Sequence, residues 1–311
     1  MRVLVTGATG FVGACLCRRL LELGHELHLF VRQTANRWRI ADIVPRMVLH
    51  DVDLRDAQAV ERAVAAIRPE KIFHLATYGG FSFQKEVVAI HAVNFLGTVN
   101  LLQACEKIGF EQFIHTGSSS EYGIKAEPMK ETDLLAPLGD YAVSKAAATL
   151  FCRSEALLKG LPIVTLRVFS PYGPWDDPQR LIPYVIAALF KGSSPMLANP
   201  AAVRDYIFID DVIDAYLAVM AAPVKAGEIY NIGSGRQTDI GEVVERIVSA
   251  IDNGVQPQWG TEPPRRPEPA VWVADAGKMR VQFNWYAGTS LDEGLQKTIR
   301  WMGEHLASYI N

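Results

Sequence analysis

Tyr141-Ala142-Val143-Ser144-Lys145 sets a phenol and an ammonium four residues apart, which on a helix means one face and one turn. A phenol with an ordinary pKa near ~10 is a poor proton donor or acceptor at neutral pH, and a neighbouring cation lowers it toward the useful range. Taken alone the spacing is a weak signal, because such pairs recur on exposed helices. Gly117-Ser118-Ser119-Ser120 gives it weight, since these hydroxyls directly follow a strand-like run and open parallel sheets bind ligands at the carboxyl ends of their strands. The chemistry open to a tuned phenol beside a serine hydroxyl is proton transfer at a ligand oxygen.

A second constellation lies at the start of the chain. Thr6-Gly7-Ala8-Thr9-Gly10-Phe11-Val12-Gly13 falls between a predicted strand and a predicted helix. There Gly7 and Gly10 allow backbone conformations and close approach that a β-carbon would obstruct. Gly13 lets the helix pack on the strand, and the free N–H groups of the helix start face an anionic pyrophosphate. An acidic residue ending the second strand would accept from an adenosine ribose, but that strand ends Phe30-Val31-Arg32. Arg32, with Arg37 and Arg39 close behind, suits a 2′-phosphate instead, so NADP is favoured over NAD. Asp53-Leu54 after the third strand could frame an adenine. A helix N-cap role for Asp53 or Asp56 is the competing reading.

These groups need a scaffold that brings strand ends together. Up to about Arg167 the sequence alternates β-branched runs with helical patterns, the signature of βαβ units. The predicted strands are Arg2–Thr6, Glu26–Val31, Arg46–Leu49, Lys71–Leu75, Gln112–Thr116 and Pro162–Arg167. Val12, Leu16, Leu20 and Leu23 recur at helical spacing, with Gly24 as the C-terminal cap. Beyond Ser170 the rhythm changes to Pro- and Gly-punctuated loops, the short strands Tyr206–Ile209 and Glu228–Ile232, and a last helix Leu291–Leu306. The expectation is an α/β doubly wound parallel sheet over residues 1–170, to which later segments return, and a smaller C-terminal α/β substrate lobe over 171–311.

Composition narrows the field. The 311 residues are 49% hydrophobic and 21% charged, the balance of a globular protein. Thirty-one Lys and Arg against 34 Asp and Glu, net charge −3, oppose nucleic-acid binding. Cys15, Cys17, Cys105 and Cys152 form no CxxC pair, and no leader precedes the first strand, so a reducing cytoplasmic setting is expected and no metal. No apolar stretch approaches the ~18 residues of a membrane span, so none is expected.

Thr6–Gly13, His74-Leu75-Ala76, Ser118 and the Tyr141/Lys145 pair together resemble the extended short-chain dehydrogenase/reductase family, over nearly the whole chain. Asn94-Phe95-Leu96-Gly97-Thr98-Val99-Asn100 resembles its fourth-helix pattern, and Leu166–Pro174 its loop beside the nicotinamide. Arg204–Val212 resembles the segment of its nucleotide-sugar branch whose arginine contacts the diphosphate. The resemblance implies a Rossmann fold and makes Tyr141 the acid/base, with Lys145 as its pKa tuner and a ribose contact. Ser118 would orient the reacting oxygen, with Ser119 as the fallback. It places Leu75, Ala76, Thr77 and Asn94 at the cofactor, has Val168 and Phe169 flank the nicotinamide, and sets Arg204 and Arg266 on a substrate diphosphate. Ser170 stands where many sugar epimerases of the family carry an Asn against the substrate.

Three reactions share such a scaffold: reduction of a keto sugar, epimerisation through a transient ketone, and 4,6-dehydration. Family dehydratases carry Asp or Glu directly after the catalytic hydroxyl, where this chain has Ser119 and Ser120. Glu121 comes one place late. The leading expectation is therefore an NADP-dependent 4-keto-reductase of a nucleotide-linked deoxyhexose, then a C4 epimerase, then a dehydratase. From another class, a non-catalytic NAD(P)-sensing protein is disfavoured by the intact Ser118, Tyr141 and Lys145. The helices around Gln84–Lys107 and Tyr141–Lys159 resemble those of the family's four-helix interface, implying a homodimer.

Overall fold

Seven short runs of apolar, β-branched residues build one fully parallel sheet. A computed structural model describes residues 1–81, 83–260 and 269–310. Its strands are β1 (Arg2–Thr6), β2 (Glu26–Phe30), β3 (Val48–His50), β4 (Lys71–His74), β5 (Gln112–Ser118), β6 (Ile163–Val168) and β7 (Ile229–Ile232), in the order β7-β6-β5-β4-β1-β2-β3. Every residue of β6 is buried, as expected of a strand covered on both faces. The order reverses between β1 and β4, which opens a crevice at the carboxyl ends of those strands.

Helices cover both faces. α1 (Phe11–Glu22) and a later helix, α6 (Ile209–Ala221), lie on one side, where Leu16, Leu20, Val212 and Val219 pack on Val3, Val5 and Ile114. α2 (Ala57–Ile67), α3 (Gly97–Ile108) and α4 (Asp140–Lys159) lie on the other, with Val64, Leu101 and Cys152 against Leu4, Ile72 and Phe113. α1 ends as expected, with Gly24 at φ +77 closing its last turn. α4 starts from Gly139, runs through Ala146–Ala148 and stops at the left-handed Gly160.

One strand boundary needs correction. β3 begins at Val48, because Val44-Pro45-Arg46 forms a 3-10 turn that uses up the anticipated strand start. Ile229–Ile232 is the edge strand of the main sheet, paired parallel with β6, a later segment that returns to it. The chain beyond Ser170 also builds α5 (Leu181–Phe190), α7 (Ile240–Ile251) and α8 (Leu291–Glu304) with two-stranded pairings such as Ser170–Tyr172 with Tyr206–Phe208.

The helical run Val87–Ile108 also departs from expectation. A π turn, Ala92–Leu96, carries a one-turn segment into α3, and the 22-residue run, with an 18-residue window of mean hydropathy 1.5, is long and apolar enough to cross a membrane. Its buried side, Ile90, Asn94, Thr98, Leu101 and Cys105, faces the protein. Val87, Val88 and Leu96 are exposed.

Candidate functional site

The glycine-rich turn joins β1 to α1 against the end of β4. A β-carbon on Gly13 would lie 2.2 Å from the Gly7 carbonyl oxygen, and one on Gly7 would lie 2.5 Å from the carbonyl carbon of Leu75. Both glycines are therefore fixed by backbone packing. Gly10 is extended at φ −80 and exposed, so its missing side chain serves access rather than backbone freedom. No side chain caps α1, and the N–H groups of Phe11, Val12 and Gly13 have no intrahelical acceptor. This open, positively polarised turn fits a pyrophosphate. Beneath it the Thr6 hydroxyl accepts from Ala76 N (3.3 Å) and hydrogen-bonds with buried His74 (2.7 Å), whose other ring nitrogen meets Thr98 (2.8 Å). Burial, with Lys145 nearby, pushes His74 down to about 3, so it stays a neutral brace between β1 and α3.

Of the three arginines after β2, Arg32 is exposed and Arg37 half-buried. Arg39 is buried and committed elsewhere. Its Nε donates to Trp175 O (2.7 Å) and its Nη2 to Asp177 (3.2 Å), so it is not available to a ribose phosphate. Asp53 also has a partner, accepting from both the backbone and the guanidinium of Arg55, which holds its carboxyl below the usual range. Asp56, not Asp53, caps α2. Leu54 is buried, and its carbonyl accepts from Asn100 (2.8 Å).

Ser118 ends β5 and starts a single 3-10 turn. Its Oγ accepts from Ser120 N (3.2 Å), leaving its own proton free to donate. Lys145 is buried and its Nζ donates to the carbonyl of Thr116, two residues before Ser118. Burial pushes it down to about 8, against the raising influence of Glu121. Tyr141 sits one turn before Lys145, half-buried, with a Gly80 β-carbon position only 3.8 Å from its ring. The segment Thr77–Gly80 thus borders the phenol.

That segment is held by Asn94, for which the resemblance implied a cofactor contact. The π turn points its side chain inward: Oδ1 accepts from Tyr78 N (2.8 Å) and Thr77 Oγ1 (3.2 Å), while Nδ2 donates to Tyr78 O (2.8 Å) and Ser144 (2.9 Å). The amide is saturated inside the protein, so Asn94 acts by positioning. Glu121, weighed from sequence only as a misplaced dehydratase acid, is fully buried and ion-paired with Arg167 at 2.7 Å.

Val168 ends β6, and Phe169 is buried beside Tyr122 and Met129. Ser119 is buried next to Ser118, and Ser170 N donates to Asp205 O (3.0 Å). Arg204 is half-buried in the smaller lobe, its guanidinium 5.9 Å from the Trp272 ring. Arg266 lies outside the described residues. The structure therefore collects Gly7–Gly13, Arg32, Leu75–Thr77, Ser118, Ser119, Tyr141, Lys145 and Val168 along the carboxyl edge of one sheet.

The chain is similar to known proteins over nearly its whole length. Residues 3–233 match the model of the NAD-dependent epimerase/dehydratase family. The chain is 30% identical over 309 residues to a UDP-glucose 4-epimerase of Mycolicibacterium smegmatis, covering 96% of this chain and 97% of that one. Among solved structures, a UDP-glucose 4-epimerase of Thermotoga maritima with UDP-glucose superposes with a TM-score of 0.91 at 25% identity, over 98% of this chain and all of the other. A dTDP-glucose 4,6-dehydratase of Streptomyces venezuelae with bound NAD gives 0.90 at 27% identity, over 100% and 99% of the two chains.

Proposed function

The chain is an enzyme of the NAD-dependent epimerase/dehydratase family, within the extended short-chain dehydrogenases/reductases, and from that membership we propose that it moves hydride and proton at C4 of a nucleotide-linked hexose without eliminating water. One observation carries this reading. Elimination needs acid and base groups beyond those that exchange hydride, and the positions after Ser118 hold Ser119 and Ser120, while the carboxylate of Glu121 is turned inside and fully bonded.

The dinucleotide fits Gly7–Gly13, Leu75–Thr77 and Val168, and when bound it supplies or accepts the hydride. The chain does the rest. Ser118, with Oγ already fixed as an acceptor, donates to the C4 oxygen. Tyr141 gives or takes the proton there, with Lys145 one turn further along the same helix. Arg204 is assigned the diphosphate, and Arg266 the same role from the sequence.

The preferred direction is reduction of a 4-keto sugar with NADPH, supported by Arg32, an exposed cation shortly after β2 that suits a phosphate. Full-length similarity to a UDP-glucose 4-epimerase favours a second reading, C4 epimerisation with retained NAD. A homodimer through Val87–Ile108 and α4 is supported by exposed apolar side chains on both helices, Val88 and Leu96 on the first and Val143, Leu150 and Leu157 at seven-residue spacing on the second. The unbridged cysteines support a reducing, cytoplasmic setting.

The test is to release and identify the nucleotide that co-purifies, then to offer 4-keto-deoxyhexose nucleotides with NADPH and, separately, UDP-glucose. NADPH oxidation on the keto sugar supports the reductase. Retained NAD with galactose formed from UDP-glucose supports the epimerase. Loss of water from a nucleotide hexose overturns both.

A further inference from the structure

Glu121 has no part in the chemistry above, yet its carboxylate joins three elements under the site. Oε1 accepts from Ser118 N (2.8 Å) and Thr149 Oγ1 (3.0 Å), and Oε2 accepts from Arg167 Nε (2.7 Å). Those partners belong to the end of β5, to α4 one turn beyond Lys145, and to β6. Room for the carboxylate depends on Gly117, where a β-carbon would fall 2.7 Å from Oε1. Ser118 and Glu121 also cap one another, because Ser118 Oγ accepts from the backbone within the turn while Glu121 holds the Ser118 N–H.

Charge makes this more than a brace. Arg167 is buried, its guanidinium lies 4.6 Å from the Tyr122 ring, and its Nη1 has no partner among the described residues. Glu121 is its ion-pair partner. The other titratable groups around Lys145 are His74 on β4, His115 on β5 and Cys152 on its own helix; burial, with Lys145 adding to it, keeps both histidines neutral. The Glu121 carboxylate therefore meets Arg167 on β6 and Thr149, one helical turn beyond Lys145, in a dry space where charge interactions are stronger than in water.

We propose that Glu121 is a positioning residue acting on both halves of the proton-transfer site, fixing the Ser118 hydroxyl through its backbone and setting a carboxylate one helical turn from Lys145. The role rests on the hydride-and-proton-transfer reading above. It also accounts for a glutamate one place beyond where a dehydratase would use it.

The test follows Lys145 directly by ¹⁵N-lysine NMR titration of the cofactor-free protein, its signal identified by loss in Lys145→Met. Glu121→Gln should displace the titration downward by about one pH unit, and the double variant Glu121→Gln/Arg167→Met should lie below Arg167→Met in the same direction. The alkaline limb of turnover should move in step. If Glu121→Gln does not fold, the difference between Arg167→Met and the double variant isolates the same charge. Titrations that coincide in all folded variants, with only the melting temperature changed, overturn the proposal and leave Glu121 a structural tie. A parent chain inactive on every nucleotide sugar overturns the functional reading instead, and the NMR result still decides the role of Glu121.

Discussion

Arg39 donates its Nε hydrogen to the carbonyl oxygen of Trp175 across 2.7 Å, tying the segment after β2 to the loop after β6. The same guanidinium reaches Asp177, and its plane lies 4.6 Å from the Trp38 ring. A basic loop that reads as one phosphate site in the sequence is thus split into a structural cation and an exposed one.

Arg32→Ala should therefore raise the KM for NADPH about tenfold or more and leave that for NADH nearly unchanged, as expected for loss of one charge-assisted contact to phosphate. Arg39→Ala should leave the NADPH/NADH ratio alone and lower stability by about 2 kcal/mol. Steady-state kinetics with both cofactors and denaturant melts separate the two arginines.

Tyr141→Phe should keep the fold and the melting temperature while kcat falls about 10²–10⁴-fold, the usual worth of a positioned acid/base group. Circular dichroism alongside turnover checks it. Near-normal kcat would remove Tyr141 from the mechanism.

Lys145 titrates near 8 in the fold, below its ordinary 10.5, because of burial. Between those values the unfolded chain binds more protons, so the Lys145 contribution to stability rises with pH across that window. Activity moves the other way, since the ammonium is lost as pH passes about 8. Melting temperatures of the cofactor-free parent, referenced to Lys145→Met, should climb from pH 8 to 10 while turnover declines. A flat difference curve would refute this.

Gly13→Ala places a methyl 2.2 Å from the Gly7 carbonyl oxygen, so the turn must open. A loss of about 1–3 kcal/mol is expected from the overpacking, with a larger loss of dinucleotide affinity by calorimetry. Unchanged affinity would mean that the turn is not the pyrophosphate seat.

Val88 on the Val87–Ile108 run is 83% exposed and Leu150 on α4 is 54% exposed, both apolar residues of the proposed interface helices. Val88→Asp and Leu150→Asp should each yield a folded monomer by sedimentation. A monomeric parent chain would dispose of the interface.

Much of the fold was legible because β1, β2, β4, β5 and β6 are each a local run of apolar residues closed by turn chemistry. β7 was visible as a strand, but its pairing with β6 depends on contacts more than 60 residues away in the chain, which local periodicity does not encode. The Tyr141, Lys145, Ser118 and glycine-turn positions stand out in the sequence because their spacing is local, and the fold sets them along one edge of the sheet. Asn94 and Glu121 could not, since their meaning depends on partners that folding brings in: Tyr78 and Ser144 for one, Arg167 and Thr149 for the other.

The reversal of strand order between β1 and β4 divides labour along the chain. The positions proposed to choose between electron carriers lie before residue 60, and those proposed to handle the reacting carbon come after residue 70. Rewriting a few positions around Arg32 would therefore leave the second group untouched.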